Sequence, residues 1–267
     1  GDLSQTMTVE IDGRPLRAPY MGDELAANVE ALHLKPVRVE RWANLVFVNL
    51  DAQAAPLTTH LASMHGAAQR CALDRMRYLT TRRYAVNANW KVYVDNYLEG
   101  YHVPAVHPGL NRELDFRSYV TELGEHHSCQ HAPIAPTAQG AGGGRVYDAQ
   151  AAVGDGEARY YWLFPNLMLN VYQGYLQTNL VEPVSATETL VHFDWFALEP
   201  PADDAGRERL ERLIAFSEEV QAEDAAICAA VQRNVASRGF EPGPYSTRFE
   251  TGVHQFHRLY AEWFATG

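Results

Sequence analysis

Cysteine is scarce in this chain: there are three, Cys71, Cys129 and Cys228. None belongs to a C-x-x-C or similar unit, so neither a disulfide framework nor a zinc ribbon is indicated, and a reducing, cytoplasmic setting fits. Positive charge is also short. Lys plus Arg total 22 against 33 Asp plus Glu, a net charge of −11, which argues against nucleic acid or an anionic membrane as a partner. No apolar run is long enough to span a bilayer, no charged-then-apolar leader is visible, and no internal repeat is evident. The Gly1 start fits a processed or engineered end. What remains is a chain of 267 residues, 46% hydrophobic and 21% charged. That is a globular composition with ample material for a core in one or two domains.

Residues 1–50 read as short strands and turns, with a turn signal at Asp12-Gly13 and a strand-like stretch over residues 37–50. A helix is expected over residues 57–69, a strand over 77–86 and a helix over 90–101. The small, Gly-rich stretch 138–144 reads as a mobile loop. Residues 159–164, 167–172, 176–182 and 189–198 are rich in aromatic and β-branched residues and divided by Pro, Gly and Ser, the pattern of an antiparallel meander. A long helical pattern covers 205–236, and a last helix covers 253–265. Strands followed by a long helix predict an α+β fold.

The segment of residues 89–108 carries the most chemistry. On a helix at about 100° per residue, Trp90, Tyr93, Tyr97 and Tyr101 share one side, while Asp95, Glu99 and His102 share the other. Pro104 should end the helix near His102 and push Val103 out of the α region, so that a turn can fold His107 back beside His102. An HxxxxH spacing alone fits surface histidines at a helix end. The long helix adds a third residue. Its apolar stripe holds Leu213, Val220, Ile227, Val231 and Val235, with Asp224 inside the stripe and Glu218, Glu219 and Glu223 off it. A carboxylate on a buried face needs a partner, either an arginine or a metal ion. Two histidines and one carboxylate make a facial triad that leaves positions open on Fe(II). The expected ligands are therefore His102, His107 and Asp224, with Asp95 and Glu99 as candidate catalytic acids.

These residues resemble those of the Rieske non-haem iron oxygenases, most closely the oxygenase components acting on choline, glycine betaine, carnitine and related quaternary ammonium compounds. The resembling pieces are residues 89–108, the strand pair of residues 160–170, Glu223-Asp224 leading to Val231-Gln232-Arg233, and His254 to Arg258 near the end. The resemblance implies a helix-grip (START-like) catalytic domain, with the sheet around a long C-terminal helix, over residues 53–267. A partial Rieske-like β segment precedes it over residues 1–52. It implies that Asp224 is the carboxylate ligand and that Glu99 is the bridging acid carrying electrons from a neighbouring subunit, in what is usually a homotrimer. A Rieske [2Fe–2S] cluster needs a Cys-x-His and a Cys-x-x-His pair. The chain has neither, and residues 1–8 hold no Cys or His where the second pair would lie. A fragment, a degenerate member and one subunit of a split or hetero-oligomeric oxygenase all fit. The expected cofactor is mononuclear Fe(II), with the cluster not bound by this chain.

Meander aromatics offer a cage for a trimethylammonium head, each well-placed ring contributing about 0.5–2 kcal/mol. The candidate substrate-binding residues are Tyr160, Trp162, Phe164, Asn170, Tyr172 and Trp195, with Tyr175 and Phe193 nearby. His254 and His257 read as helix-face or pocket-wall residues. His126, His127 and His131 read as part of an irregular, polar stretch. The expected function is O2-dependent hydroxylation or N-demethylation of a small quaternary ammonium compound, with electrons from a Rieske- or ferredoxin-type donor and a reductase. Ring hydroxylation of an aromatic substrate, and a non-catalytic helix-grip binding protein, are the alternatives.

Overall fold

The computed structural model describes residues 8–18, 22–135, 146, 156–172 and 174–266. The expected Gly-rich loop over residues 138–144, and residues 1–7 of the segment without cluster ligands, lie outside the described residues. The chain divides into two compact units, Gly1–Thr59 and His60–Gly267.

The first unit holds two antiparallel hairpins. One pairs Thr8–Val9 with Pro15–Arg17 across the Asp12-Gly13 turn, and the other pairs Arg38–Trp42 with Leu45–Asn49. Short helices Glu24–Ala27 and Val29–Leu32 lie between them, where strands and turns alone were expected. Ala, Glu and Leu, all good helix formers, fill those positions.

The second unit is built on a seven-stranded antiparallel sheet. Across it the order is Arg77–Val86, Thr189–Ala197, Tyr175–Pro183, Leu167–Tyr172, Glu157–Leu163, His127–Pro133 and Val120–Leu123. Four consecutive strands from Glu157 to Ala197 make the expected meander. The helix Trp90–Leu98, the long helix Asp204–Val235 and the last helix Thr251–Thr266 pack against it. Two clusters fill the space between. One gathers Tyr93, Leu98, Trp162, Phe193, Cys228 and Phe256, and the other gathers Val103, Tyr160, Tyr172, Trp195, Leu213 and Ile214. This is the α+β arrangement expected from the order of elements and the helix-grip form that the resemblance implies. Among the described residues no helix is long and apolar enough to cross a membrane.

Four local expectations need correction. The helical stretch at 57–69 is three pieces, Leu57–His60, Ala62–Met64 and His65–Arg70, because Leu61 leaves the α region to bury its side chain. The irregular stretch assigned to His126, His127 and His131 contains the strand His127–Pro133. Its polar residues hide a segment whose first four positions are buried by pairing with a strand on each side. The helix at Trp90 ends at Leu98 rather than near His102. Glu99 is extended (φ −125°, ψ 141°), and its carboxylate turns forward to accept from the backbone N–H groups of Tyr101 and His102. Asp95, Glu99 and His102 therefore do not share a helix face, and Tyr101 is exposed. Finally, Val103 is helical: Val103–Val106 starts at His102, with Pro104 in its first turn. A proline there gives up only an N–H that a helix start leaves unbonded anyway.

Candidate metal centre and its cavity

The early stop of the first helix places the histidines. Gly100 lets the chain turn tightly against the Tyr119 ring, where an added Cβ would lie 2.7 Å from a ring carbon. Two short helices follow, Val103–Val106 and Pro108–Glu113, with His102 and His107 at their starts. The two imidazoles face each other with Nε2 atoms 3.0 Å apart. From the long helix, Asp224 brings Oδ1 to 3.0 Å from Nε2 of His107 and 3.6 Å from Nε2 of His102. Three residues from separate stretches thus converge, their ligand atoms all within 4.8 Å of one another. The partners of the Asp224 carboxylate are the two imidazoles and a carboxamide. Its Oδ1 accepts from Asn96 Nδ2 at 2.6 Å.

The hydrogen bonds behind the imidazoles decide what the front can do. Nδ1 of His102 is bonded to Glu99, and Nδ1 of His107 lies 2.6 Å from Oε2 of Glu223. A carboxylate only accepts, so each Nδ1 carries the proton and each Nε2 presents a lone pair. Two lone pairs and a carboxylate oxygen then share one spot, which is favourable only around a cation. Ligands about 2.1 Å from one metal ion at roughly right angles lie about 3 Å apart, close to the spacings here. The donor set therefore fits a metal ion. Burial alone would lower the pKa of His107, but Asp224 and Glu223 outweigh it and hold the imidazole above its ordinary range.

Asp224 lies on the inward stripe of the long helix, but the stripe differs from the expected one. Leu213, Ile214, Gln221 and Cys228 are its buried members, while Val231 and Val235 are exposed toward the helix end. Glu223 is not a bystander, since it holds His107. Glu218 meets Tyr84 and Arg82. Asp95 is turned away from the centre onto Nε2 of His257, 2.9 Å away, and His257 Nδ1 lies 2.7 Å from the Tyr245 hydroxyl. His254 is an exposed helix-face residue.

A cavity with about 730 Å³ of space, part of it open to solvent, adjoins the three residues. Of the candidate substrate-binding residues and their neighbours, Tyr160, Asn170, Tyr172 and Phe193 line it. Trp162, Phe164, Trp195 and Tyr175 do not. Trp162 shares the face of Tyr160 but lies two residues, roughly 7 Å, further along the strand, which puts it under Phe256 of the last helix. Phe164 is past the strand end against Trp263. Trp195 is sealed into the second core cluster and Tyr175 packs against that cluster. The lining adds residues unmarked by an aromatic meander: Tyr93, Tyr97, Tyr119, Gln130, Gln177 and Gln221. Helical spacing from Asp224 points to Gln221, and spacing from the aromatic stripe to Tyr93 and Tyr97. No sequence signal marked Gln130. Burial raises the pKa of Tyr93, Tyr97 and Tyr160 far above the usual phenol range, and the Tyr93 and Tyr97 hydroxyls donate to Gln221 and Asn170.

Fold and site together define a helix-grip domain with a two-histidine, one-carboxylate cluster opening onto an aromatic and amide-lined cavity. Residues 73–266 match the model of the family described as "Ring hydroxylating alpha subunit (catalytic domain)", and the chain belongs to that family. It is similar to a chloroplastic choline monooxygenase of Arabidopsis thaliana, 31% identical over 264 residues, covering 94% of this chain and 60% of that protein. It is also similar to the carnitine monooxygenase oxygenase subunit of Escherichia coli (strain K12), 25% identical over 266 residues, covering 96% and 68%. Among solved structures, the quaternary ammonium Rieske monooxygenase CntA in complex with an inhibitor superposes with a TM-score of 0.78 at 23% identity, covering 96% of this chain and 70% of that one. The last likeness is one of fold. The chain spans about 60% of the length of the Arabidopsis relative.

Proposed function

We propose that this chain is the catalytic part of a non-haem Fe(II) oxygenase that hydroxylates a methyl or methylene group beside a quaternary nitrogen. The observation that carries the reading is the convergence of His102, His107 and Asp224 at one point of the cavity wall. Iron held by His102, His107 and Asp224 would supply dioxygen activation there. The chain's own residues do the rest. Glu99 and Glu223 fix both imidazoles with Nε2 forward, and Asn96 holds the Asp224 carboxylate. The rings of Tyr97, Tyr119, Tyr160, Tyr172 and Phe193 offer π-faces to a trimethylammonium head. Hydroxylation of an N-methyl group would give a carbinolamine whose hydroxyl loses its proton as the C–N electron pair passes to nitrogen, leaving formaldehyde and a tertiary amine.

The substrate class is supported by the relatives named for choline and carnitine. Electrons would come from a Rieske-type centre served by a reductase, in a homotrimer or hetero-oligomer, with Glu99 as the residue facing that donor. On this reading residues 1–52 are the back part of a Rieske-like β domain and the following residues the catalytic domain. A reducing, cytoplasmic setting belongs to the same reading and is supported by the small number of cysteines in the sequence, none of them in a C-x-x-C unit.

The test is anaerobic metal analysis of the purified chain. About one ferrous ion per chain is expected, with His102→Ala and Asp224→Ala each abolishing binding while circular dichroism stays native. A chain that folds but binds no iron sinks the proposal.

A further inference from the structure

The cavity floor carries a built polar row. Gln130 pairs directly with Tyr160 on the next strand, Tyr160 with Asn170, and Asn170 with Gln177. Directly opposed residues on neighbouring strands point to the same face, and all four line the cavity. Four strands therefore lay one line of polar side chains across the cavity floor.

Gln130 has one end tied down and one end open. Its Nε2 donates to the backbone carbonyl of Tyr97 at 2.6 Å. A carbonyl can only accept, so the amide cannot be turned round, and Oε1 is the atom left facing inward. The side chain is 1% exposed, and Oε1 has no hydrogen-bond partner. The other two amides of the row have partners outside it: Asn170 Oδ1 accepts from the Tyr97 hydroxyl, while Gln177 Oε1 accepts from the Ser217 hydroxyl and its Nε2 donates to Asn179 Oδ1. A buried carbonyl oxygen without a donor is costly to leave unmet.

Resting on the quaternary-ammonium reading, we propose that the polar row is a subsite for a hydroxyl group of the substrate, and that Gln130 Oε1 reads it by accepting its O–H. A quaternary nitrogen has no N–H to offer, so the donor must sit elsewhere on the molecule. The preferred ligand is then a quaternary ammonium alcohol, bound with its cation among the tyrosine rings.

Three cations separate the possibilities by isothermal titration of the iron-loaded chain without oxygen: choline, ethyltrimethylammonium, which lacks the oxygen, and the O-methyl ether of choline, which keeps the oxygen but lacks the O–H. Choline should bind about tenfold more tightly than either of the others. In Gln130→Met choline should fall to the level of ethyltrimethylammonium, whose own affinity should change less than about twofold. If that variant does not fold, the ether alone decides, because it tests O–H donation in the unaltered chain. Equal binding of all three cations overturns the hydroxyl subsite and leaves the quaternary-ammonium reading standing. Binding of none of them overturns that reading and this subsite together.

Discussion

Replacing Glu223 by alanine should weaken ferrous binding about tenfold, although Glu223 is not itself one of the three converging ligands. Its Oε2 lies 2.6 Å from Nδ1 of His107, and the histidine it holds is only 1% exposed. A hydrogen bond to a charged group is worth about 1.5–3 kcal/mol. Glu223 is 29% exposed, so solvent screens it and the low end of that range applies. About 1.4 kcal/mol is a factor of ten, at the bottom of the 10- to 100-fold cost typical of losing such a partner. The loss acts twice: His107 is no longer fixed as the tautomer with its Nε2 lone pair forward, and its ring is freer to turn. Glu223→Gln retains an accepting oxygen and should lose much less. Anaerobic titration against a chromogenic chelator measures the affinity, and the visible absorption of cobalt-substituted protein reports the ligand geometry. An alanine variant with wild-type affinity and an unchanged cobalt spectrum would refute the argument that the hydrogen bond behind the histidine matters.

Two further changes test the frame around the centre. Gly252→Ala adds a Cβ 2.8 Å from the carbonyl oxygen of Leu98, backbone that cannot swing aside. Overpacking of about 1–3 kcal/mol should exceed the roughly 1 kcal/mol gained in helix propensity, so calorimetry should show a lower Tm and an unchanged Tm would count against it. His127 has its pKa lowered by burial and then by nearby His126. The unfolded chain takes up a proton near pH 6.5 that the folded chain refuses, so this contribution to stability is present above that pH and lost as pH falls toward the lower folded value. Urea unfolding at about pH 7.5 and 5.5 should show His127→Gln losing less stability on acidification than the wild type, and parallel losses would refute it.

The meander, the long helix and the three converging residues were legible because each leaves a periodic mark: alternation along strands, and an acid inside an apolar helical stripe. The short segment holding the histidines was misread at its joints. Pro104 signals a break, but a proline in the first turn signals a start equally well, and the stop itself came from the Glu99 carboxylate reaching ahead to two backbone N–H groups. Asp95 shares the segment with Glu99, yet its partner His257 arrives from a helix 162 positions away, a separation no local pattern encodes. Trp162 and Trp195 show the same limit. Alternation gives the face of a sheet, but what lies over each point of that face depends on where the helices cross it. Gln130 was hidden for the opposite reason: a polar strand sealed on both sides has no apolar rhythm to betray it.

The row from Gln130 to Gln177 turns the sheet into a ruler. Its rungs stand one strand apart, about 4.8 Å, a spacing fixed by backbone hydrogen bonds and not by the side chains they carry. One added methylene is far shorter than that interval, so a longer ligand cannot simply step to the next rung. Nor can the scale be shifted, because sliding a strand by one residue would turn its rung to the far side of the sheet. Relatives that accept molecules of other lengths would have to change what stands on a rung while leaving the graduations untouched.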